Sequence, residues 1–186
     1  MKRLFIATPV ITLSAEIQKI SADLRFRLRH DDIVWVKDDV RHLTLRFLGA
    51  TPPQQVPLVR KALAEACAAS EPFTLTINKI GVFGSHYRPE VVWLGFEHFE
   101  PFRELFDMLE PKLLACGFDP NGGNFVPHIT LGRIKGLHDK RRFWEVIAEV
   151  RRAAVSQALE INTLNLYQSF LHKDGPEYRT LFTANL

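Results

Sequence analysis

The chain is poor in the features that mark several broad protein classes. Its 186 residues hold two cysteines, Cys67 and Cys116, far apart and without a CxxC pair or a histidine at ligand spacing. That excludes a disulfide scaffold and reads both thiols as small buried hydrophobes of a reducing compartment. No apolar run approaches the ~20 residues of a membrane span. Charge of one sign is not in excess: 24 Lys and Arg face 21 Asp and Glu, a formal +3. So mild a balance does not by itself mark a nucleic-acid binder, and it is compatible with an anionic substrate. The Gly-x-Ser-x-Gly elbow, the P-loop and the dinucleotide fingerprint are missing as well. With 46% hydrophobic and 24% charged residues, the composition is that of a globular domain able to bury a core unaided. Lys2-Arg3 before the run Leu4 to Leu13 has the outline of a targeting signal. Pro9 interrupts the run and no clean small-x-small site follows, so the segment reads as a first β-strand.

What the chain does have is an internal repeat. His42-Leu43-Thr44-Leu45 recurs as His128-Ile129-Thr130-Leu131, an offset of 86 residues. The same offset carries Phe5-Ile6 onto Val91-Val92, Ser14 to His30 onto Glu100 to Cys116, and Pro53 to Ala69 onto Asp139 to Val155. Periodicity agrees. Leu13, Ile17, Ile20, Leu24 and Leu28 form one helical stripe, as do Phe102, Phe106, Leu109 and Leu113. Val56, Val59, Leu63 and Cys67 match Phe143, Ile147, Val150 and Ala154, and Phe73 to Ile77 alternates as a half-buried strand does. Each half reads strand, helix, strand carrying His-x-Thr, helix, strand. The expected fold class is α+β: two pseudo-symmetric lobes, each a mainly antiparallel sheet with two helices on its outer face, and a cleft between the sheets. Residues 1–186 then form one bilobal domain, with a first repeat about 1–85, a second about 86–172 and a C-terminal strand 177–186.

In a strand, residues i and i+2 share a face. His42 and Thr44 therefore project together while Leu43 and Leu45 enter a core, and His128 and Thr130 repeat the arrangement. A single His-x-Thr is a weak signal, usually a structural histidine. Two copies in equivalent places are different, because packing alone has no reason to keep both His and both Thr. A zinc site usually adds Asp, Glu or Cys, which the motifs lack. A pair of imidazoles instead fits an acid and a base on opposite sides of one phosphorus, since a ring titrating near neutrality can serve in either form. The threonine hydroxyls can donate to non-bridging phosphate oxygens.

These residues resemble the 2H phosphoesterases, and within them the RNA 2′,3′-cyclic phosphodiesterases, also called 2′-5′ RNA ligases. The likeness runs from Arg3-Leu-Phe-Ile-Ala7 through Trp35-Val-Lys37, His42 to Gly49 and Phe125 to Arg133, to Leu166-Tyr-Gln-Ser169 and Gly175-Pro-Glu-Tyr178. The resemblance implies hydrolysis of a 2′,3′-cyclic phosphate at an RNA 3′ end to a 2′-phosphomonoester, without metal or other cofactor, and a weak reversible joining of RNA ends through a 2′-5′ bond without ATP. By the family pattern His42 is the general acid, His128 the general base, Thr44 and Thr130 hold the phosphate, and Arg133 contacts it.

Phe125 is a candidate for stacking on a terminal base, with core packing as the alternative. Arg46 shares the alternating face of His42 and Thr44, so it is a candidate for the RNA backbone, with a solvated position as the alternative. Tyr167 is a candidate for the cleft edge. His30, His86, His98, His138 and His172 have no paired counterpart and read as surface or structural. The expected partner is RNA ending in a cyclic phosphate, met by a cytoplasmic monomer without a membrane. Two alternatives stay open: a phosphodiesterase of small cyclic nucleotides or an ADP-ribose cyclic phosphate, and a non-catalytic RNA- or nucleotide-binding module.

Overall fold

The computed structural model describes residues 1–153, 155–172 and 175–186. The strands are β1 (Lys2–Pro9), β2 (Asp32–Trp35), β3 (His42–Thr51), β4 (Phe73–Gly84), β5 (Pro89–Phe96), β6 (His128–Gly136), β7 (Gln157–Ile161), β8 (Thr163–His172) and β9 (Gly175–Asn185). The helices are α1 (Ala15–Arg27), α2 (Val56–Ala68), α3 (Glu100–Ala115) and α4 (Lys140–Arg152). The apolar stripes explain them: Ile17 and Leu24 of α1, Leu63 and Cys67 of α2, Phe102 and Leu109 of α3, and Phe143 and Ile147 of α4 are all buried. Ala154, expected to close the last stripe, lies outside the described residues. The ends are set by local chemistry. Ser14 Oγ accepts from the Ile17 N–H at 3.3 Å and an Asp139 carboxylate oxygen from the Arg142 N–H at 3.0 Å. Gly117, at φ +85°, ends α3: its N–H donates to Leu114 O and that of Phe118 to Leu113 O, a paired closure that needs a left-handed residue. Both cysteines are free, and burial pushes the Cys67 thiol up to about 11.

All strand pairings are antiparallel, in the order β7-β4-β5-β6-β3-β1-β8-β9, with β2 on β6. The sheet is two lobes joined at a seam. One lobe is β9-β8-β1-β3; the other is β7-β4-β5-β6 with β2. Between them β3 and β6 share a single register pair, Leu43 with Ile129. The lobes are not the halves of the chain. β4 closes the first repeat yet pairs with β5 and β7, while β8 closes the second yet pairs with β1. Helices exchange too: α1 reaches α4, where Arg27 donates to Glu149 at 2.5 Å, and α3 buttresses β3. Each lobe is thus built from both repeats.

The repeat extends to an irregularity. β1 pairs Ile6 with Arg46 and Ala7 with Thr44, leaving Leu45 as an extra residue; β5 pairs Val92 with Gly132 and Trp93 with Thr130, leaving Leu131 extra. The two bulges lie 86 residues apart, like the motifs. Each makes two consecutive residues face the core and turns the next outward. Burial along β3 and β6 is accordingly the same: Leu43, Leu45 and Arg46 buried and Phe47 exposed, against Ile129, Leu131 and Gly132 buried and Arg133 exposed.

That bulge corrects the expectation for Arg46. Strict alternation puts it on the cleft face with His42 and Thr44; the bulge turns it to α3. There it is 7% exposed, its Nε donates to Glu110 Oε2 at 2.7 Å and its Nη2 to Glu110 Oε1 at 3.1 Å. Arg46 holds α3 to β3 and does not reach a substrate. Replacing it with alanine leaves the largely buried Glu110 carboxylate with the Asn121 N–H but no counter-charge, which costs about 2–4 kcal/mol in stability. Urea unfolding checks this; a loss under ~1 kcal/mol contradicts the assignment.

Candidate active site

The seam decides the site. Leu43 and Ile129 pair across it with their side chains in the core. Continued by one residue each way, the antiparallel register sets His42 opposite Thr130 and Thr44 opposite His128, all four on the other face. The two histidines then stand as diagonal neighbours, roughly 7–8 Å apart at the backbone. That spacing leaves room for one phosphate between the rings.

Each ring is held in the same way. His42 Nδ1 lies 2.9 Å from Val40 O, and His128 Nδ1 lies 2.9 Å from Val126 O. A carbonyl only accepts, so each Nδ1 carries hydrogen and each Nε2 is left to face the cleft, as acceptor when neutral and donor when protonated. Aromatic edges fix the planes: Tyr178 meets His42 at 5.1 Å and 89°, and Phe83 meets His128 at 4.7 Å and 88°. Below His42 lies Phe5, 4.9 Å away, in contact with Tyr167 and Tyr178 as well. Trp93 lies against His128 at 6.4 Å, its indole over Gly81 and Gly95, where a Cβ would collide with the ring.

Burial drives both imidazoles below their usual pKa, against the Val40 and Val126 carbonyls, which favour the charged forms. The Arg133 guanidinium lowers both further, and the His128 charge adds to the effect on His42. Both rings are therefore shifted toward their neutral forms in the free protein. Negative charge brought by a phosphate would oppose the Arg133 contribution and favour the protonated rings.

A cavity of about 360 Å³ opens beside the seam, lined among others by His42, Thr130, Arg133, Lys37, Val36 and Tyr178. Thr44 and His128 lie beyond its lining, on the far side of the Leu43–Ile129 pair. Arg133 is on the cleft face although it is an odd number of residues past His128, because the Leu131 bulge reverses the alternation. Phe125 is half-buried against the core: its ring packs at 4.6 Å from Phe106 and 6.0 Å from Phe102, with Arg103 over it at 4.6 Å. Of the two readings of Phe125, stacking on a base and core packing, these contacts favour packing against α3. Tyr167 stacks on Phe5 at 5.2 Å and its hydroxyl accepts from Asn165 at 2.7 Å, one layer behind Tyr178.

Sequence reasoning missed Tyr178 and Lys37 as site residues; His172, read as surface or structural, is exposed and also lines the cavity. A signal for Tyr178 existed: Gly175-Pro176 forces a turn, and the strand after it must return along β8, the neighbour of β1. Among the described residues no three His, Cys, Asp or Glu side chains converge as a metal cluster. No described helix is long and apolar enough to cross a membrane.

Two His-x-Thr strands facing one cleft across a pseudo-two-fold define a 2H phosphoesterase. Comparison with known proteins agrees. Residues 9–169 match the model of the 2′-5′ RNA ligase superfamily, and the chain belongs to that family. It is 31% identical over 183 residues to the RNA 2′,3′-cyclic phosphodiesterase of Thermotoga maritima, covering 97% of this chain and 93% of that one. It is 32% identical to the enzyme of the same description from Aeropyrum pernix, covering 87% and 92%. Among solved structures, a Thermus thermophilus protein superposes with a TM-score of 0.76 at 25% identity, covering 99% of this chain and 97% of that one. E. coli LigT in complex with phosphate gives 0.67 at 25% identity, covering 100% and 97%.

Proposed function

We propose that this protein opens the 2′,3′-cyclic phosphate at an RNA 3′ end to a 2′-phosphomonoester, with His42 as acid and His128 as base. The seam carries the reading: a single register pair aims both His-x-Thr units at one cleft. Water gives a proton to His128 Nε2 as its oxygen bonds to phosphorus; the P–O3′ bond breaks, and the proton on His42 Nε2 passes to O3′. Thr44 and Thr130 donate to the non-bridging oxygens and Arg133 balances their charge. The division into acid and base follows the family pattern. Ring strain in the cyclic diester supplies a good leaving group, so no step calls for a metal, and one chain supplies every residue of the site. RNA with a cyclic end is the partner this chemistry serves; a 5′-hydroxyl in place of water as the attacking group gives 2′-5′ joining without ATP, and attack of the 3′-hydroxyl on that 2′-5′ bond reverses it.

The test is hydrolysis of an oligoribonucleotide 2′,3′-cyclic phosphate in EDTA and H₂¹⁸O. The expected product is a 2′-phosphate carrying one ¹⁸O, formed at an undiminished rate. A 3′-phosphate, or a collapse restored by zinc, overturns the proposal.

The pH dependence follows from the imidazoles. kcat/KM needs His128 neutral and His42 protonated, so it rises as pH rises through one pKa and falls through the other. Both are lowered in the free protein, which puts the kcat/KM maximum below about pH 6.5. The kcat maximum, set by the phosphate-bound state, lies higher. Initial rates across pH 4.5–9 check this; a kcat/KM optimum above ~7.5 contradicts it.

A further inference from the structure

The repeat is symmetric in backbone but not in what it presents. Phe47 lies 86 residues before Arg133, directly after the equivalent bulge, and the two hold corresponding places on the cleft face of their lobes. Phe47 pairs in register with Phe5, whose ring it meets at 6.0 Å, and is itself 56% exposed. Because β3 and β6 run antiparallel from the Leu43–Ile129 pair, the two residues lie at opposite ends of the cleft. Arg133 is at the end of His42 and Thr130, beside the cavity; Phe47 is at the end of Thr44 and His128. Each lies four residues from that pair, one of them the extra residue of a bulge, so at ~3.4 Å per paired step the line from Arg133 to Phe47 is about 20 Å long, enough for a phosphate with a nucleoside on either side. One end offers a cation, the other an open aromatic face with the Arg3 guanidinium further along β1.

We infer that the Phe47 end is the acceptor site: it binds the terminal nucleoside of the RNA whose 5′-hydroxyl replaces water in the joining reaction. This rests on the proposed reading, in which His128 activates the attacking group. The 5′-OH gives its proton to His128, its oxygen bonds to phosphorus, the P–O3′ bond breaks, and O3′ takes the proton of His42. One phosphodiester replaces another, so no energy source is consumed. Phe47 stacks on the acceptor's base and so raises the fraction of attacks made by RNA over those made by water. Water needs no such platform, which makes Phe47 a determinant of joining against hydrolysis.

The experiment incubates a cyclic-phosphate oligoribonucleotide with a 5′-hydroxyl oligoribonucleotide and measures joined and hydrolysed products together, for the wild-type protein, Phe47→Ala and Phe47→Trp. Stacking on a single base is worth enough to change the ratio about tenfold or more. Phe47→Ala is expected to lower the joined-to-hydrolysed ratio by about tenfold, and Phe47→Trp to keep it within about twofold of wild type. Equal losses of both products in Phe47→Ala overturn the inference, as does an unchanged ratio. A wild-type protein that hydrolyses but never joins at millimolar acceptor also overturns it, leaving the hydrolytic reading intact. A wild-type protein that does not hydrolyse overturns that reading instead.

Discussion

Replacement of His42 or His128 by alanine lowers hydrolysis of a cyclic-phosphate end by about 10²–10⁴-fold, because each ring performs one proton transfer in the same displacement. The double variant is not much slower than the worse single one, since an acid without its base has little left to assist. Neither ring is a pillar of the fold. Each sits on the cleft face, and each returns one hydrogen bond to a neighbouring carbonyl. Thermal unfolding of the variants is therefore expected to stay near wild type. Rates within tenfold of wild type in either variant, with the fold retained, contradict the acid–base assignment.

The second large effect is at Arg133. Its guanidinium lines the cavity with His42 and Thr130 and acts on both imidazoles. Removing a charged donor from a developing phosphorane costs about 10²–10³ in rate. Arg133→Ala is expected to lose that much in kcat/KM. Arg133→Lys recovers part of it, because an ammonium supplies charge but not the two-pronged donor geometry. A further readout separates this role from a structural one. Without Arg133 a contribution that depresses both rings is gone, so the kcat/KM optimum moves up in pH in Arg133→Ala and not in Arg133→Lys. A pH profile superimposable on wild type, with only the amplitude lost, contradicts the placement of Arg133 beside both rings.

The residues most legible in the sequence are those that obey a simple period. The helical stripes, the offset of 86 and the shared face of His42 with Thr44 all follow from counting, and the strands begin where the motifs do. Counting fails at Leu45 and Leu131. A bulge inserts one residue that no alternation rule anticipates, so alternation points Arg46 into the cleft while the folded chain gives it to Glu110. The repeat itself carries a hint: it aligns Phe47 with Arg133, and a cleft position for one implies it for the other. The exchange of β4 and β8 between lobes is not legible either. Which sheet a strand joins is settled by backbone hydrogen bonds and loop reach, and residue pattern records neither. Phe125 is assignable in principle, because Phe99, Phe102 and Phe106 form a helical stripe that needs an aromatic cover.

Everything depends on His42 and His128 meeting the same phosphate. The most direct measurement is a titration of the protein with a nucleoside 2′-monophosphate, following the ring nitrogens of both histidines by ¹⁵N NMR near pH 6.5. Both Nε2 signals are expected to move along one binding isotherm, each toward its protonated position, and Arg133→Ala to weaken both responses together. A response from one ring alone, or two isotherms with different midpoints, contradicts it.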